Sequence, residues 1–214
     1  MGDNTYKLYY FSGNGRAAIS RAILYHSKAK FEDVIVSFEE WPKMKTSGIC
    51  DYQQLPILEY KGKFYSQSHA IEMYLGKTFN LYGKDLEEEY QINSLLDSYD
   101  DLFAVFHKIA FPDTDELKKN LENNKADFLQ KFEFFISVYN KHYEKNGNSE
   151  YFLGNSFTIA DIFLCVTLFY YAHMLKCEDL IKIKTPKLYG LIKKIKENEL
   201  KEYFDKVYNY KNTF

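Results

Sequence analysis

Leu8-Tyr9-Tyr10-Phe11-Ser12-Gly13-Asn14-Gly15-Arg16-Ala17-Ala18-Ile19-Ser20-Arg21 changes its period half-way along. Residues 6–11 are a short aromatic and aliphatic run, which predicts a strand. Ser12-Gly13-Asn14-Gly15 has the composition of a turn. Ala18, Ile19, Ala22, Ile23 and His26 then recur at helical spacing. Residues 31–38 alternate around Val34 and Val36 and read as a second strand. Strand, helix, strand in that order predicts a βαβ unit with a parallel pair.

Residues 55–60 and 63–65 are two further short strands around Lys61-Gly62, a hairpin signal. Residues 66–79 are helical again, with Ile71, Tyr74 and Leu75 on one face. The pattern βαβ then ββα predicts a compact α/β domain over residues 1–79 with a mixed sheet. Residues 80–85, with Gly83 among them, read as a linker. Residues 86–214 are helical, with periodic stretches at 86–111, 115–144, 158–176 and 186–198. In Phe157-Thr158-Ile159-Ala160-Asp161-Ile162, Thr158 and Asp161 have capping-box spacing, and Phe157 can pack on Ile162 as a staple. Ile159, Ile162, Phe163 and Val166 follow at core spacing, so the box reads as scaffold.

Composition excludes several functions. The chain has 214 residues, a formal net charge of −2 and 18% aromatic residues. That predicts a packed protein, and with no basic stripe nucleic acid is not an expected partner. Cys50, Cys165 and Cys177 are odd in number and widely spaced, which fits neither a disulfide framework nor a CxxC motif and points to a reducing compartment. The opening lacks the apolar stretch of a signal peptide, Tyr6 stands where a myristoylation signal wants Ser or Thr, and no run of about twenty apolar residues occurs. A cytoplasmic chain with no membrane partner is expected. The five histidines have no ligand spacing, so no metal is expected. No G-x-S-x-G elbow occurs, and the Gly13–Gly15 turn has neither the Lys nor the spacing of a phosphate loop.

What remains is Tyr9, Tyr10, Ser12 and Arg16, clustered where a strand runs into a helix, a usual place for a ligand. A Tyr hydroxyl there can donate to an anion while an Arg biases the field. The plainer alternative is two strand tyrosines, one buried and one exposed.

This opening resembles that of sigma-class glutathione S-transferases: a strand ending in Tyr-Phe, a turn, then Gly-Arg-Ala and a helix carrying another Arg. The similarity continues in Glu40-Trp41-Pro42-Lys43-Met44-Lys45, in Gln54-Leu55-Pro56-Ile57-Leu58, and in Ser66-Gln67-Ser68-His69-Ala70-Ile71 followed by Tyr74-Leu75. In the helical half Asp97-Ser98-Tyr99-Asp100-Asp101 and the box at 158–161 fall in family order. The resemblance spans the chain, with a two-residue insertion near residues 48–52.

The resemblance implies a thioredoxin-like N-terminal domain and an all-α C-terminal domain that contributes the electrophile pocket and dimer contacts. It implies glutathione as co-substrate, small hydrophobic electrophiles as partners, detoxification as the role, and a homodimer. Tyr10 and Arg16 take the catalytic positions. Glutathione falls to Tyr10, Trp41, Lys45, Gln54, Leu55, Pro56, Gln67 and Ser68, with Pro56 in the position of the family's cis-proline, and to Asp101 from the partner subunit. Phe11, Gly15, His107 and Phe111 take the electrophile pocket. Ser12 is the rival activator, since other classes of the superfamily use Ser or Cys just after the first strand; no Cys stands there, against glutaredoxin-like exchange. Two alternatives accompany this reading: a prostaglandin D isomerase, against which Lys108 stands where such enzymes carry Trp, and a non-catalytic ligandin-type binding protein.

Overall fold

The computed structural model describes residues 4–110 and 112–207. Strand β1 (Tyr6–Tyr10) runs through the turn 11–14 into a 3-10 turn (Gly15–Ala17) and helix α1 (Ala18–His26). Strand β2 (Phe31–Ile35) returns parallel to β1, with Tyr6 opposite Phe31 and Tyr10 opposite Ile35. A short helix α2 (Trp41–Lys45) precedes β3 (Ile57–Tyr60) and β4 (Lys63–Ser66), both antiparallel to their neighbours. The sheet order is β2-β1-β3-β4, a mixed sheet of the thioredoxin-like type. Lys61 and Gly62 both have positive φ, 50° and 73°, as a two-residue hairpin turn matching the strands' twist requires. Helix α3 (Ser68–Thr78) closes this half.

The helical half comprises α4 (Leu86–Ala110), α5 (Asp115–Lys119), α6 (Leu121–Lys145), α7 (Ile159–Met174), α8 (Glu178–Lys184), α9 (Pro186–Glu197) and α10 (Lys201–Lys206). The single helix expected over 115–144 is two. Asn120 ends α5 and begins α6, and Thr114 caps α5 by accepting the Leu117 N–H at 3.2 Å. Helices α2, α8 and α10 were not expected. Each has seven residues or fewer, too few to show a period. The second strand stops at Ile35; the Val36 N–H still donates to the Tyr10 carbonyl at 2.8 Å before the chain turns away.

Helix α7 is buried nearly all round, Ala160, Leu164, Cys165 and Leu168 as fully as the expected Ile159, Ile162 and Phe163. An α-helix apolar on every side is a central one. It packs on α1 of the first half as well as on α4 and α9, so one apolar core runs through both halves. The Ile159 N–H donates to the Leu81 carbonyl at 2.9 Å across the junction. Gly76 allows this close approach: a Cβ on it would stand 2.3 Å from Ile159 Cδ1 and 2.9 Å from the Tyr82 ring, and one of them would have to shift.

The capping box forms: Asp161 accepts the Thr158 N–H at 2.9 Å, and Thr158 Oγ1 accepts the Ala160 N–H at 3.2 Å. Asp161 also accepts the Phe152 N–H at 2.7 Å, tying down the loop before the helix. Phe157, expected as a staple on Ile162, lies against His26 and Tyr151, with ring centroids at 4.4 and 5.5 Å. Asp161→Ala therefore removes more than a cap. We expect it to exceed the ~0.5–2 kcal/mol of a lost cap, because each buried N–H left unpaired costs about 1–3 kcal/mol. Urea unfolding measures this, and the specific activity of the folded fraction is expected to hold.

Candidate active site

The site is organised by the turn after β1. Tyr9 and Tyr10, as neighbours in a strand, point to opposite faces. Tyr9 donates to Glu59 Oε2 at 2.6 Å, and burial together with that carboxylate raises its phenol well above the usual value. Tyr10 goes the other way. Its hydroxyl accepts the Arg16 N–H at 3.0 Å, and this oxygen lies where a Cβ on Gly15 would stand 2.5 Å from it. Gly15, at φ +37°, is the residue that lets the hydroxyl and the turn approach so closely. Burial pushes the Tyr10 phenol up, while the Arg16 N–H and the charges of Arg21 and Arg16 pull it down; the net direction is up. Tyr10 thus keeps its proton and presents a donor.

The turn is held by a fully buried Arg21. Its Nε bonds both oxygens of Asp33 at 2.9 and 3.0 Å, Nη2 donates to the Phe11 carbonyl at 3.2 Å, and Nη1 donates to the Gly13 carbonyl. Its guanidinium lies 5.6 Å from the centre of the Tyr10 ring. Tyr203 on α10 donates to Asn14 Oδ1 at 3.0 Å from the far end of the chain.

Beside this turn opens a cleft of about 410 Å³. Arg16, Trp41, Gln54, Leu55, Pro56, Gln67 and Ser68 line it, as does Phe11. The Leu55–Pro56 bond is cis. Phe11 packs edge-on against Trp41, at 5.9 Å between centroids. Gln67 takes the N-cap position of α3 with φ +73° and makes no side-chain cap, and Ser68 is the first helical residue. The leading N–H groups of an eleven-residue helix, at its positive end, therefore have no capping side chain.

Arg16 crosses to the helical half: Nη1 donates to Asp100 Oδ1 at 2.6 Å, and the guanidinium lies 4.4 Å from the Phe103 ring centre. Asp100 also lines the cleft, as does Gln53, and neither was expected there. Gln53 left no signal, since its role comes from a left-handed backbone, φ +51°. Arg21 did leave one: a cation between Ala18, Ile19, Ala22 and Ile23 must find a buried acid, and Asp33 on the neighbouring strand is that acid.

Several expected residues stand elsewhere. Tyr10 borders the cleft through Phe11 and Arg16 but is not among its lining side chains. Lys45, in the last turn of α2, is half-buried outside the lining. Asp101 is exposed, and its charge is felt by Tyr139 on α6, whereas Asp97 lies 3.6 Å from His69 and Asp100 holds Arg16. The acidic triplet thus splits in direction and is not a single stripe. His107 is exposed with its ring 6.0 Å from Phe103, and Gly15 lies behind the cleft wall. Phe111 lies outside the described residues. Among the described residues no group of three or more His, Cys, Asp or Glu could hold a metal, and no helix is long and apolar enough to cross a membrane.

A thioredoxin-like domain with an open cleft at a cis-proline, walled on one side by an all-helical domain, is the architecture of glutathione-dependent transferases. The family models for the glutathione S-transferase N-terminal domain and C-terminal domain match residues 4–77 and 100–207. Probable glutathione S-transferase 5 of Caenorhabditis elegans is 35% identical over 165 residues, 74% of this chain and 76% of that one. A crystal structure of a nematode-specific GST from C. elegans superposes with a TM-score of 0.81 at 31% identity, over 94% of this chain and 96% of that one. The structure of rat hPGDS complexed with a quinoline gives 0.79 at 30%, with the same coverage. The chain belongs to the glutathione S-transferase family and is an enzyme of the glutathione transferase type.

Gly15→Ala tests the turn directly. A methyl group there displaces the Tyr10 hydroxyl, and a lost hydrogen bond of about 1.4 kcal/mol corresponds to tenfold. We expect kcat/KM for glutathione to fall at least about tenfold while far-ultraviolet circular dichroism is retained.

Proposed function

We propose that the chain is a sigma-like, tyrosine-using glutathione transferase of the cytoplasm, which activates the glutathione thiol through Tyr10 and adds it to hydrophobic electrophiles. The observation that carries this reading is the Arg16 N–H donating to the Tyr10 oxygen, beside burial that pushes the phenol up and so favours its keeping the proton. A free thiol has a pKa near 8.5, so about two units of lowering, ~2.7 kcal/mol, are needed for a thiolate at neutral pH. One charge-assisted hydrogen bond and the field of Arg16 are of that size. Accepting the Arg16 N–H polarises the Tyr10 O–H and strengthens its own donation.

The rest of the peptide follows from charge. The γ-glutamyl carboxylate belongs at Gln67 and Ser68, where helix α3 offers N–H groups and its positive end. The cysteinyl segment lies along Gln54, Leu55 and Pro56. Its glycine carboxylate goes to Trp41 and to Lys45, swung in from α2. The sulfur's electron pair forms the new S–C bond as the leaving group departs with its own pair. The resemblance gives the electrophile to Phe11, Gly15, His107 and Phe111, of which Phe11 lines the cleft. Three free cysteines, two of them buried, suit a reducing compartment.

Tyr10→Phe is expected to lose about 2–4 kcal/mol of transition-state stabilisation in conjugation of a chlorodinitrobenzene while still binding glutathione; Ser12→Ala is expected to be mild. A lethal Ser12→Ala beside an active Tyr10→Phe overturns the tyrosine assignment. Retention on immobilised glutathione without turnover of any electrophile would make the chain a binding protein. The likeness to rat hPGDS favours one second reading, isomerisation of prostaglandin H2, against which Lys108 on α4 is the opposing residue. A prostaglandin H2 assay run beside the conjugation assay decides it.

We also propose a homodimer in which Asp101 reaches the γ-glutamyl ammonium in the partner's cleft. Supporting it, Phe64 of β4, Met73 of α3, and Leu86 and Tyr90 of α4 are large apolar side chains left exposed on elements adjoining the cleft. A desolvated contact of carboxylate with ammonium is worth about 1.5–3 kcal/mol, so Asp101→Asn should weaken glutathione binding about tenfold or more, and Asp97→Asn less. Calorimetry measures both. A monomer with undiminished affinity rules out the shared site.

A further inference from the structure

Behind Arg16 lies a second, much smaller cavity, where the 3-10 turn, α3, α4 and α7 meet. Its volume is about 10 Å³, room for roughly one water. Gly15, Arg16, Glu72, Tyr99, Thr167 and Tyr170 line it. Glu72 is 1% exposed, and its Oε2 has no protein hydrogen-bond partner. Arg16 thus forms part of both the cleft wall and this cavity, with a buried carboxyl on one side and the thiol site on the other.

A carboxylate with no hydrogen bond is costly to bury, and such a group neutralises instead. Burial pushes Glu72 up to about 8; Arg16 pulls it down and Asp100 pushes it up. The other groups facing it are uncharged. On α3 itself, burial lowers His69. Tyr82 in the following loop and Tyr99 on α4 are phenols raised by burial. Tyr170 on α7 is a third phenol. On α4, Asp97 is held toward His69, so the charges that meet at Glu72 are Arg16 and Asp100.

We propose that Glu72 is a positioning residue of the thiol site: uncharged in this cavity it leaves the Arg16 guanidinium to favour a thiolate beside Tyr10, and ionised it cancels that field and weakens glutathione binding at alkaline pH. The inference rests on the reading of Tyr10 and Arg16 given above. With Glu72 neutral, the Arg16–Asp100 pair carries no net charge, and both of its members line the cleft. With Glu72 ionised, the cluster carries an excess negative charge opposed to the thiolate and carboxylates of the ligand. Binding of that anion and protonation of Glu72 are then linked, each favouring the other.

The test is the ratio of glutathione affinities of the wild-type enzyme and Glu72→Gln, measured by calorimetry across the pH range. Titrations that the two share, including that of glutathione itself, cancel in the ratio. We expect the ratio to be flat in acid and to fall about tenfold between about pH 7 and pH 9, the size of a unit charge acting across a partly shielded interior. Glu72→Met, which removes the charge with a different side chain, should give the same curve. A flat ratio with both variants overturns the proposal. Because it is read from binding without turnover, it stands or falls separately from Tyr10, which the activity of Tyr10→Phe judges.

Thermal unfolding gives a second readout. The folded state holds the Glu72 proton to a higher pH than the unfolded chain, so Glu72 takes nothing from stability below about 4.5, takes progressively more as pH rises to about 8, and a constant amount beyond. The Tm of the wild type should therefore fall relative to Glu72→Gln across that window and run parallel above it. Curves parallel throughout would mean that the carboxyl is not held neutral, and the proposal fails.

Discussion

Everything at the active site depends on one buried cation. Arg21 is inaccessible to solvent, and a charge removed from water is tolerated only when paired and hydrogen-bonded. Asp33 supplies the pairing across the parallel β1–β2 junction, and the carbonyls of Phe11 and Gly13 take further donors. The planar fork of an arginine suits this task, since it can face a carboxylate and two carbonyls at once where a lysine would be a point charge. The result is a turn whose path is set from within the protein, and Tyr10 stands at its start. Asn14, held by Tyr203, fixes the same turn from the helical side. The Tyr10 hydroxyl is therefore placed both by the Arg16 N–H that it accepts and by residues that hold the turn from behind.

The helical domain takes part in the site and does more than shelter it. Helix α7 is apolar on every side and packs on α1, the helix that carries Arg21. Asp161 sets the start of α7 and anchors the preceding loop, and Gly76 lets α3 come against Ile159 without a side chain between them. Those contacts fix α4 relative to the sheet closely enough for Asp100 to meet Arg16 at 2.6 Å, 84 positions away in sequence. A shift of α4 by a fraction of a helical turn would break that pair and change the charge at the cleft wall. The core between the halves is thus also an electrostatic constraint.

Much of this was legible in the sequence wherever the signal was local. The change of period after Phe11, the Lys61-Gly62 hairpin and the capping box at 158–161 are each contained in a few neighbouring residues, and each formed. Cleft residues drawn from separate segments, Trp41, Gln54 to Pro56, Gln67 and Ser68, came from resemblance, because no periodicity brings them together. What escaped was of two kinds. Helices α2, α8 and α10 and the break at Asn120 are too short to carry a period. Asp100, Gln53 and Glu72 gain their surroundings only from tertiary contacts: on α3 alone, Glu72 reads as an ordinary polar position between Ile71 and Met73. The acidic triplet shows the limit most plainly. Spacings of three and four residues put Asp97, Asp100 and Asp101 on one side of a helix, yet the neighbours of α4 divide them among His69, Arg16 and the vicinity of Tyr139.

Arg16 is where these constraints converge. Its backbone N–H belongs to Tyr10, its guanidinium to Asp100 and the Phe103 ring, and its side chain forms part of both cavities. On the proposed mechanism a hydrogen bond to the Tyr10 oxygen and a positive field at the sulfur both favour the thiolate, but they come from different atoms and respond to different perturbations. The first is fixed by the turn and by Gly15, so it depends on backbone geometry. The second is a balance among Arg16, Asp100 and Glu72 and depends on protonation. About 2.7 kcal/mol is needed to make a thiolate at neutral pH, and a hydrogen bond to a charged group supplies about 1.5–3 kcal/mol. The geometric contribution covers most of that, so on the proposed mechanism the electrostatic one adds the last part and makes it dependent on protonation. On that mechanism, the guanidinium held between the Phe103 ring and Asp100 has a fixed position from which to act on the sulfur.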